Sequence, residues 1–354
     1  MSSNQNTNQI SGAITYPSNS MNLVPVPQQP RQPRDLQGLL RFAMEATKAE
    51  DAPGNSTLGP MDEERRKFLE EALRSMTVNV AELIHEDLKI LTNQELIKGI
   101  EKDADLPPEV ENAFSNLLDL IDDIDIANDF YKMGGFAIFP IAYSSQNEYL
   151  RGRASFVLGE LVQNNPFCQE KALKTGLLNV LLNLVQTEKG ETLSKCLFAL
   201  SSATRDYEPA CQELQRQDGC EILAKLLNNA DSNAKTKVAF FISYLCRQHA
   251  DIKEKFIELN IVKTIAEEIK KGRDKSTEHM LSTLLALTND LTPTVLSQFT
   301  DPNLGMKDIL ETHLKHPELE GDSYLEEKEY CQQLLQHIFI NKPKVKVHEE
   351  AADR

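Results

Sequence analysis

One pattern recurs along the chain at a fixed interval. The interval is 42 residues (195 − 153, 237 − 195 and 279 − 237), and at each step a basic residue or histidine precedes an aliphatic residue by five positions. The polar members are Arg153, Lys195, Lys237 and His279, and the aliphatic members are Leu158, Leu200, Ile242 and Leu284. A helical pattern with a period of about 40–47 residues is typical of HEAT or armadillo repeats, which stack into an α-solenoid because one unit cannot bury its apolar face alone.

A second set of positions repeats with nearly the same period. Gly134, Gly176, Gly219 and Asn260 each precede an apolar run, at separations of 42, 43 and 41 residues. Glycine permits a positive φ or a tight turn between helices, and asparagine tolerates such a conformation better than most residues. Within each unit the apolar spacing predicts two helices, as at 176–185 and 193–204, and gives no support for β-structure.

The composition of the chain changes along its length. The expected order is a largely disordered N-terminal region over 1–60 with a short amphipathic helix at 35–46, an N-terminal helical cap over 61–106, armadillo-like repeats over 109–300, a C-terminal helical cap over 301–340 and a flexible tail over 341–354. The predicted fold is all-α: a right-handed armadillo- or HEAT-like α-solenoid of about four repeats with helical caps at both ends. A solenoid capped at both ends is expected to be a monomer.

Charge and cysteine content narrow the classes of function. A formal net charge of −16 at pH 7 argues against nucleic-acid binding, which requires clustered Lys and Arg. The six cysteines form no CxxC motif, so we expect structural thiols in a reducing compartment. The sequence has no apolar run of about 18 residues and no signal-peptide pattern. We therefore expect a soluble cytoplasmic protein, with the nucleus as a second compartment, and no membrane partner.

The sequence contains no recognisable catalytic or metal-binding constellation. The motifs GxxxxGK[ST], HExxH and GxSxG are absent from it. His313 and His316 lie near Glu311, but Pro317 ends the predicted helix at once and no cysteine is close, so we predict no zinc site. We expect a protein that is not an enzyme and that uses no cofactor.

Several segments of the chain resemble one protein family. The segments are 33–40 (PRDLQGLL), 60–66 (PMDEERR), 125–130 (DIANDF) and 324–331 (YLEEKEYC), together with the four repeats and the closing Asp353-Arg354. They are similar to those of the armadillo-type nucleotide exchange factors of the seventy-kilodalton heat-shock chaperones, and to the animal members in particular. The resemblance covers nearly the whole chain beyond residue 30. It does not extend to the extreme N-terminus, which is rich in Asn, Gln and Ser rather than in Gly and Ser.

The resemblance implies a co-chaperone that acts by binding alone. Family members wrap a concave armadillo surface around one lobe of the ATPase domain of a cytosolic chaperone, so that the lobe is displaced and ADP escapes. By linkage, a partner that prefers the open form weakens nucleotide binding by the same factor. The resemblance also implies that the flexible N-terminal lead helps to release the chaperone's client. We assign that role to Leu23, Val24, Val26, Leu36, Leu39 and Leu40.

Candidate binding residues follow from the geometry of the repeats. The last helix of each unit is expected to line the concave face, with its non-core positions projecting outward. The positions are Arg151, Arg153, Glu160, Gln163, Asn164, Lys195, Ser202, Arg205, Asp206, Lys237, Tyr244, Arg247, His279, Asn289 and Asp290. A second candidate patch is formed by Asp125, Asn128 and Asp129, which can equally be residues that cap or end helices.

Other functions remain open. An armadillo or HEAT array can serve as a scaffold or cargo adaptor, although adaptors that read basic localisation signals use Trp/Asn ladders and this chain has no Trp. A regulatory subunit of an enzyme is a further alternative. Leu36, Leu39 and Leu40 also match an LxxLL receptor-docking box, and the N-terminal lead can equally be an idle tail.

Overall fold

The computed structural model describes Glu63, Lys67 and residues 79–289 and 291–341. The chain divides into two compact units, Met1–Thr77 and Val78–Arg354. Of the first unit, only Glu63 and Lys67 are described, and both are helical. The predicted helix at 35–46, the six residues assigned to client release and the tail beyond 341 lie outside the described residues.

The helices of the second unit follow one another in groups of three. The first group is α1 (Val80–Leu91), α2 (Gln94–Lys98) and α3 (Pro108–Leu120). Four repeats follow: α4 (Ile124–Lys132), α5 (Ile138–Tyr143) and α6 (Glu148–Val162); α7 (Pro166–Lys174), α8 (Leu177–Thr187) and α9 (Gly190–Thr204); α10 (Glu208–Arg216), α11 (Gly219–Asn229) and α12 (Ser232–Gln248); α13 (Ala250–Glu258), α14 (Ile261–Lys270) and α15 (Thr277–Thr288). The last group is α16 (Pro293–Phe299), α17 (Met306–His313) and α18 (Leu325–Leu335), with short helical turns at Gly135–Ala137, Pro317–Glu320, Asp322–Tyr324 and Gln336–Ile340. Residues 79–289 and 291–341 contain no strand.

Each repeat contains three helices, so the predicted pair of helices per unit was incomplete. The helix that the pattern missed is the first one, which spans nine residues in α7 and is preceded by the capping residue Asn165. Only Cys168, Gln169 and Ala172 of α7 are buried, so its apolar stripe is too short to stand out in the sequence. Three helices per unit distinguish an armadillo-type repeat from the helix pair of a HEAT repeat.

The residues that reverse the chain before the second helix of each repeat have left-handed backbone conformations. Gly134 and Gly176 have φ values of 84° and 76°, and Asp218 and Asn260 have values of 55° and 56°. Their spacing is a uniform 42 residues (176 − 134, 218 − 176 and 260 − 218). The expectation that Gly219 occupies this position was wrong. Aspartate also tolerates the left-handed region because its short side chain can hydrogen-bond locally.

Gly219 serves close packing instead. It is the first residue of α11, and a Cβ atom there would lie 2.6 Å from both the carbonyl oxygen and the Cγ atom of Leu214. Leu214 is fully buried in α10. The missing side chain therefore lets α10 and α11 approach each other tightly at their connection.

The third helices stack on one another and form the backbone of the solenoid. Helix α6 packs on α9, α9 on α12, α12 on α15, and α15 on α18. The apolar residues buried between the helices form one continuous core from Ile84 to Ile338. A Cβ atom at Gly159 would lie 2.4 Å from the ring of Phe198. The missing side chain therefore allows α6 and α9 to approach closely.

Polar side chains join helices within a repeat and between neighbouring repeats where the core ends. The guanidinium of Arg151 donates from Nε and Nη2 to the two carboxylate oxygens of Glu188, at 2.6 and 3.0 Å. Its Nη1 atom donates to the carbonyl of Ser145 at 2.7 Å. In the next repeat, Gln169 Nε2 donates to the carbonyls of Ser202 and Arg205, at 2.9 and 2.8 Å. The bonds to Ser145, Ser202 and Arg205 satisfy carbonyls at helix ends, where no further turn is present to pair with them.

A buried ion-pair network closes the C-terminal end of the stack. Glu327 is 1% exposed in α18 and accepts two hydrogen bonds from Arg273, at 3.0 and 2.8 Å. His313 Nε2 lies 2.7 Å from the same carboxylate, and the Arg273 guanidinium stacks 4.0 Å from the centre of the Tyr324 ring. Burial would raise the pKa of Glu327, but the hydrogen bonds from His313 and Arg273 lower it below its ordinary value.

Within the described residues, no helix is both long and apolar enough to cross a membrane.

Candidate binding surface

The third helices α6, α9, α12 and α15 present one continuous surface, termed here the third-helix face. A row of phenylalanines runs across it at the repeat interval: Phe156, Phe198 and Phe240. The rings of Phe156 and Phe198 lie 5.6 Å apart, and Phe240 is 52% exposed. The sequence analysis missed this row, although its spacing is the same as that of the basic residues three positions before it.

The three predicted cations that lie on α6 and α9 are already neutralised. Arg151 forms the bidentate pair with Glu188, and its side chain is only 17% exposed. Arg153 Nη2 lies 2.9 Å from Glu111 Oε1 on α3. Lys195 Nζ lies 2.7 Å from Glu191 Oε1, one turn away on α9. The premise that all the candidate positions project freely outward is therefore wrong for Arg151.

Three other predicted cations have no carboxylate partner among the described residues. Arg205 follows the C-terminus of α9, while Lys237 and Arg247 lie on α12, and none of them forms an ion pair within residues 79–289 and 291–341. Arg247 Nη2 donates to Ser282 Oγ at 2.8 Å. Two of these three cations, Arg205 and Lys237, lie at the junction of α9 and α12, and Arg247 lies at that of α12 and α15.

Arg205 is held by two aromatic rings of α12. Its guanidinium carbon lies 4.2 Å from the centre of the Tyr244 ring and 5.5 Å from that of Phe240. Cations attract the negative faces of aromatic rings at such distances. The stacking therefore fixes the direction of the guanidinium, and none of its N–H groups pairs with a carboxylate of the described residues.

Tyr244 also fixes the backbone that carries Arg205. The Asp206 amide donates to Tyr244 Oη at 2.8 Å, and Tyr244 Oη donates to Asp206 Oδ1 at 3.0 Å. Burial and the hydrogen bond to the Asp206 carboxylate raise the pKa of Tyr244, against the opposing effect of the Asp206 amide. Asp206 has a φ of 54°, as does Asn164 one repeat earlier, and both residue types tolerate this left-handed conformation.

A hollow of about 420 Å³ lies beside this cluster. Its apolar wall comprises Leu197, Phe198 and Phe240, and its polar wall comprises Gln163, Asn164, Ser201, Ser202, Arg205 and Lys237. Gln163 and Asn164 are exposed, as predicted for a surface position. Ser202 is only 6% exposed and contributes its carbonyl to Gln169, so the prediction that its side chain projects outward was wrong.

The remaining candidates on this face lie at its two ends. Burial and the nearby charge of Asp122 raise the pKa of Glu160. The Nδ1 atom of His279 is buried without a hydrogen-bond partner among the described residues. The carbonyl of Asn289 accepts a hydrogen bond from Lys253. Asp290 lies outside the described residues.

The second candidate patch is divided between structural and exposed roles. Asn128 Oδ1 accepts a hydrogen bond from Asn165 Nδ2 at 3.1 Å and so joins the first and second repeats. Asp129 pairs with Lys132 at 2.7 Å on the surface of α4. The side chain that caps α4 belongs to Asp123, which accepts from the amides of Asp125 and Ile126. Asp125 lies exposed in the first turn of that helix.

Among the described residues there is no group of three or more His, Cys, Asp and Glu side chains that could hold a metal ion. His313 is occupied by Glu327, as described above. All six cysteines are buried and unpaired, and burial raises the pKa of Cys196 to about 11. A buried thiol with a raised pKa carries little thiolate and is a poor nucleophile or metal ligand at neutral pH.

Comparison with known proteins adds two kinds of likeness. Residues 36–130 match the family described as nucleotide exchange factor Fes1, and residues 126–246 match the SIL1/FES1/HPBP1 C-terminal domain. The chain is 30% identical to Hsp70-binding protein 1 of Mus musculus over 316 residues, which cover 88% of this chain and 87% of the relative. The same protein of Homo sapiens is 30% identical over 315 residues, which cover 87% of this chain and 86% of the relative.

More distant likenesses are shorter or limited to the fold. Hsp70 nucleotide exchange factor FES1 of Coccidioides immitis is 35% identical over 105 residues, which cover 29% of this chain and 50% of the relative. A designed armadillo repeat protein in complex with a peptide superposes with a TM-score of 0.54 at 12% identity, over 69% of this chain and 98% of that one. An engineered protein superposes with a TM-score of 0.57 at 16% identity, over 72% and 99%. These structures identify the fold of the repeats as an armadillo-type solenoid.

Proposed function

The chain belongs to the SIL1/FES1/HPBP1 family of Hsp70 nucleotide exchange factors, and we propose that its third-helix face binds the ATPase domain of a cytosolic Hsp70 and promotes release of ADP. The supporting observation is that Arg205 and Lys237, which have no carboxylate partner among the described residues, lie beside the exposed ring of Phe240. Arg and aromatic side chains are the types that dominate interface energies. Their position on the stacked third helices fits a partner that lies along the repeats.

The proposed mechanism needs no catalytic group in this chain. An exchange factor that binds the open form of the ATPase domain more tightly than the ADP-closed form must weaken ADP binding by the same factor. A preference of about 4 kcal/mol would accelerate exchange roughly a thousandfold if the whole preference appeared in the release rate. We propose that the protein is not an enzyme and that it acts as a monomer in the cytoplasm, with the nucleus as a second compartment.

Reversing the charge of three cations on the third-helix face tests whether this face binds the chaperone. The triple variant Lys195→Glu/Arg205→Glu/Lys237→Glu should bind the Hsp70 ATPase domain at least about tenfold more weakly, because attraction becomes repulsion. Its thermal midpoint should fall by no more than about 2–4 °C, since the cation–π contacts of Arg205 are worth about 1 kcal/mol. Isothermal titration calorimetry and a thermal scan measure the two quantities.

A matched control carries the same change of charge on the second helices. Lys225, Lys263 and Lys307 are exposed on α11, α14 and α17, and their triple replacement by Glu should leave the affinity within about threefold of that of the unchanged protein. Equal weakening by both triple variants would mean that only overall charge matters, and an unchanged affinity in the first variant would remove the third-helix face from the binding surface.

We also propose that the N-terminal lead assists client release through Leu23, Val24, Val26, Leu36, Leu39 and Leu40. The proposal is supported by the apolar residues spaced along a polar segment, since extended apolar peptides bind grooves and sheet edges. Replacing Leu23, Val24 and Val26 with Ser should slow release of a fluorescent peptide from full-length Hsp70 without changing ADP release. An unchanged rate of peptide release would leave the lead without this role.

A further inference from the structure

The hollow that extends from the end of α6 across α9 to α12 combines unpaired cations with an exposed aromatic ring. Two cations line it, Arg205 and Lys237, and neither has a carboxylate partner among the described residues. Phe240, which is 52% exposed, forms part of its wall. In a chain with a net charge of −16, two adjacent unpaired cations make a local exception to the overall charge.

The equivalent positions in neighbouring repeats do not share these features. The equivalent of Lys237 one repeat earlier is Lys195, which is paired with Glu191. The equivalent two repeats earlier is Arg153, which is paired with Glu111. The equivalent of Arg205 one repeat earlier is Gln163, which is neutral. The equivalent one repeat later is Arg247, which donates a hydrogen bond to Ser282. Among the junctions between the described third helices, only that between α9 and α12 combines an unpaired Arg and an unpaired Lys around one hollow.

We propose that Arg205 and Lys237 jointly hold a single carboxylate on the surface of the Hsp70 ATPase domain, with Phe240 packing against an apolar side chain beside that carboxylate. The inference rests on the proposed function and specifies the chemistry of its main contact. A guanidinium and an ammonium on the same hollow suit a carboxylate, because charge-assisted hydrogen bonds are short and strong. The apolar wall suits the neighbour of that carboxylate and excludes water from the ion pair.

The structure also assigns positioning roles to Tyr244 and Gln169. Tyr244 exchanges two hydrogen bonds with Asp206 and carries the Arg205 guanidinium on its ring. Gln169 fixes the carbonyl of Arg205 from the other side. Arg205 is therefore ordered before the partner arrives, and the entropic cost of immobilising a long side chain on binding is reduced.

A double-mutant cycle tests whether the two cations share one carboxylate. Affinities of the full-length protein for the Hsp70 ATPase domain are measured for the unchanged protein, Arg205→Gln, Lys237→Gln and the double variant. Each single change should lower affinity about tenfold, and the double change should lower it by only about 10–30-fold, because both cations act on the same group. Lys225→Gln, on the exposed surface of α11, is the matched control and should stay within about twofold.

The cycle has two results that overturn the inference. A hundredfold loss in the double variant, the product of the single losses, would mean that the cations contact separate groups. No loss in either single variant would mean that the hollow takes no carboxylate. If either result is obtained while the unchanged protein binds the ATPase domain and accelerates ADP release, the carboxylate site is wrong and the proposed function still holds. If the unchanged protein neither binds nor accelerates release, the proposed function fails first.

Tyr244→Phe tests the positioning role separately. This change removes the hydrogen bonds to Asp206 and keeps the ring under Arg205, so affinity should fall about threefold to fivefold with little change in thermal midpoint. In the Arg205→Gln background the same change should have no further effect, because there is no guanidinium left to position. A loss of equal size in both backgrounds would assign Tyr244 a direct or general structural role instead.

Discussion

At the scale of single residues, the connections between helices impose the strictest requirements on side-chain identity. Gly134, Gly176, Asp218 and Asn260 adopt the left-handed backbone that reverses the chain, and the residue after Asp218 must be small for a different reason. The sequence indicated a turn at each of these places. It could not show which residue needs a left-handed backbone and which residue needs a small side chain. Asp and Gly are adjacent at 218 and 219, and the apolar pattern tolerates a shift of one residue at a helix end.

Gly219→Ala tests the packing requirement. The added Cβ atom would meet the backbone carbonyl of Leu214 at 2.6 Å, so α10 and α11 must separate, and we expect a loss of about 2 kcal/mol in the free energy of unfolding. Urea unfolding at neutral pH measures this loss of stability.

The matched control for that change is Gly321→Ala. A Cβ atom at Gly321 would lie 3.5 Å from the Glu318 carbonyl oxygen, an ordinary contact, so stability should stay within about 0.5 kcal/mol. Equal stability of the two variants would show that α10 and α11 tolerate the extra methyl group.

At the scale of helices, the repeat interval predicted the third helices better than the first. Residues on α6, α9, α12 and α15 recur every 42 positions in both their apolar and their basic members, because each of these helices packs on two equivalents of itself. The first helices bury few side chains, so their periodicity is weak. The pairing of individual cations could not be predicted, since the distances between Arg153 and Glu111, or between Arg151 and Glu188, depend on how neighbouring units pack.

The last helix is joined to the stack by ionic rather than only apolar contacts. Glu327 lies inside α18 between His313 of α17 and Arg273, which follows α14. The segment 324–331 was noted in the sequence as a landmark, and the network gives it a physical role. Neutralising the buried Glu327 carboxylate leaves Arg273 with only the exposed Glu318 as an anionic partner among the described residues, which makes the network sensitive both to mutation and to acid.

Glu327→Gln tests this network and its pH dependence. The change should lower the free energy of unfolding at pH 7 by about 3 kcal/mol, because Arg273 loses its buried counter-charge. The folded pKa of Glu327 is lowered, so its stabilising contribution is present above the unfolded pKa of about 4.3. It is lost as the pH falls through the lower folded pKa. The difference between the unchanged protein and the variant should therefore shrink in acid.

The control for the network is Glu329→Gln, an exposed position on the same helix. It removes the same charge without touching Arg273 or His313 and should leave stability within about 0.5 kcal/mol at pH 7. Urea unfolding of the three proteins at several pH values gives the comparison. A difference between the Glu327 variant and the unchanged protein that stays constant down to pH 3 would contradict the assigned ionisation.

At the scale of the whole molecule, an acidic protein has a local cationic and aromatic surface on its stacked third helices. The all-α solenoid was predicted from the repeat interval and is confirmed by the structure and by the likeness to armadillo proteins. The family was also identified correctly from its sequence landmarks. The detailed binding surface was not predictable to the same extent. Sequence spacing marks which residues share a face, but it does not show which charges are neutralised within the protein.

The row of phenylalanines illustrates the same limit. Phe156, Phe198 and Phe240 follow the repeat interval and could have been found by extending the pattern of basic residues by three positions. Their unequal exposure could not have been found, because it depends on the close approach of α6 and α9 at Gly159. Phe240 stays 52% exposed, whereas Phe198 packs over that glycine.

The most direct test of the proposed function is the release rate of a fluorescent ADP analogue from the Hsp70 ATPase domain, measured by stopped flow. The full-length protein should accelerate release in a saturable manner, and Arg205→Glu/Lys237→Glu should retain less than about a tenth of that acceleration at equal concentration. No acceleration by the unchanged protein, with an ATPase domain that binds and releases nucleotide normally, would contradict exchange activity. Equal acceleration by the variant would contradict the role of the third-helix face.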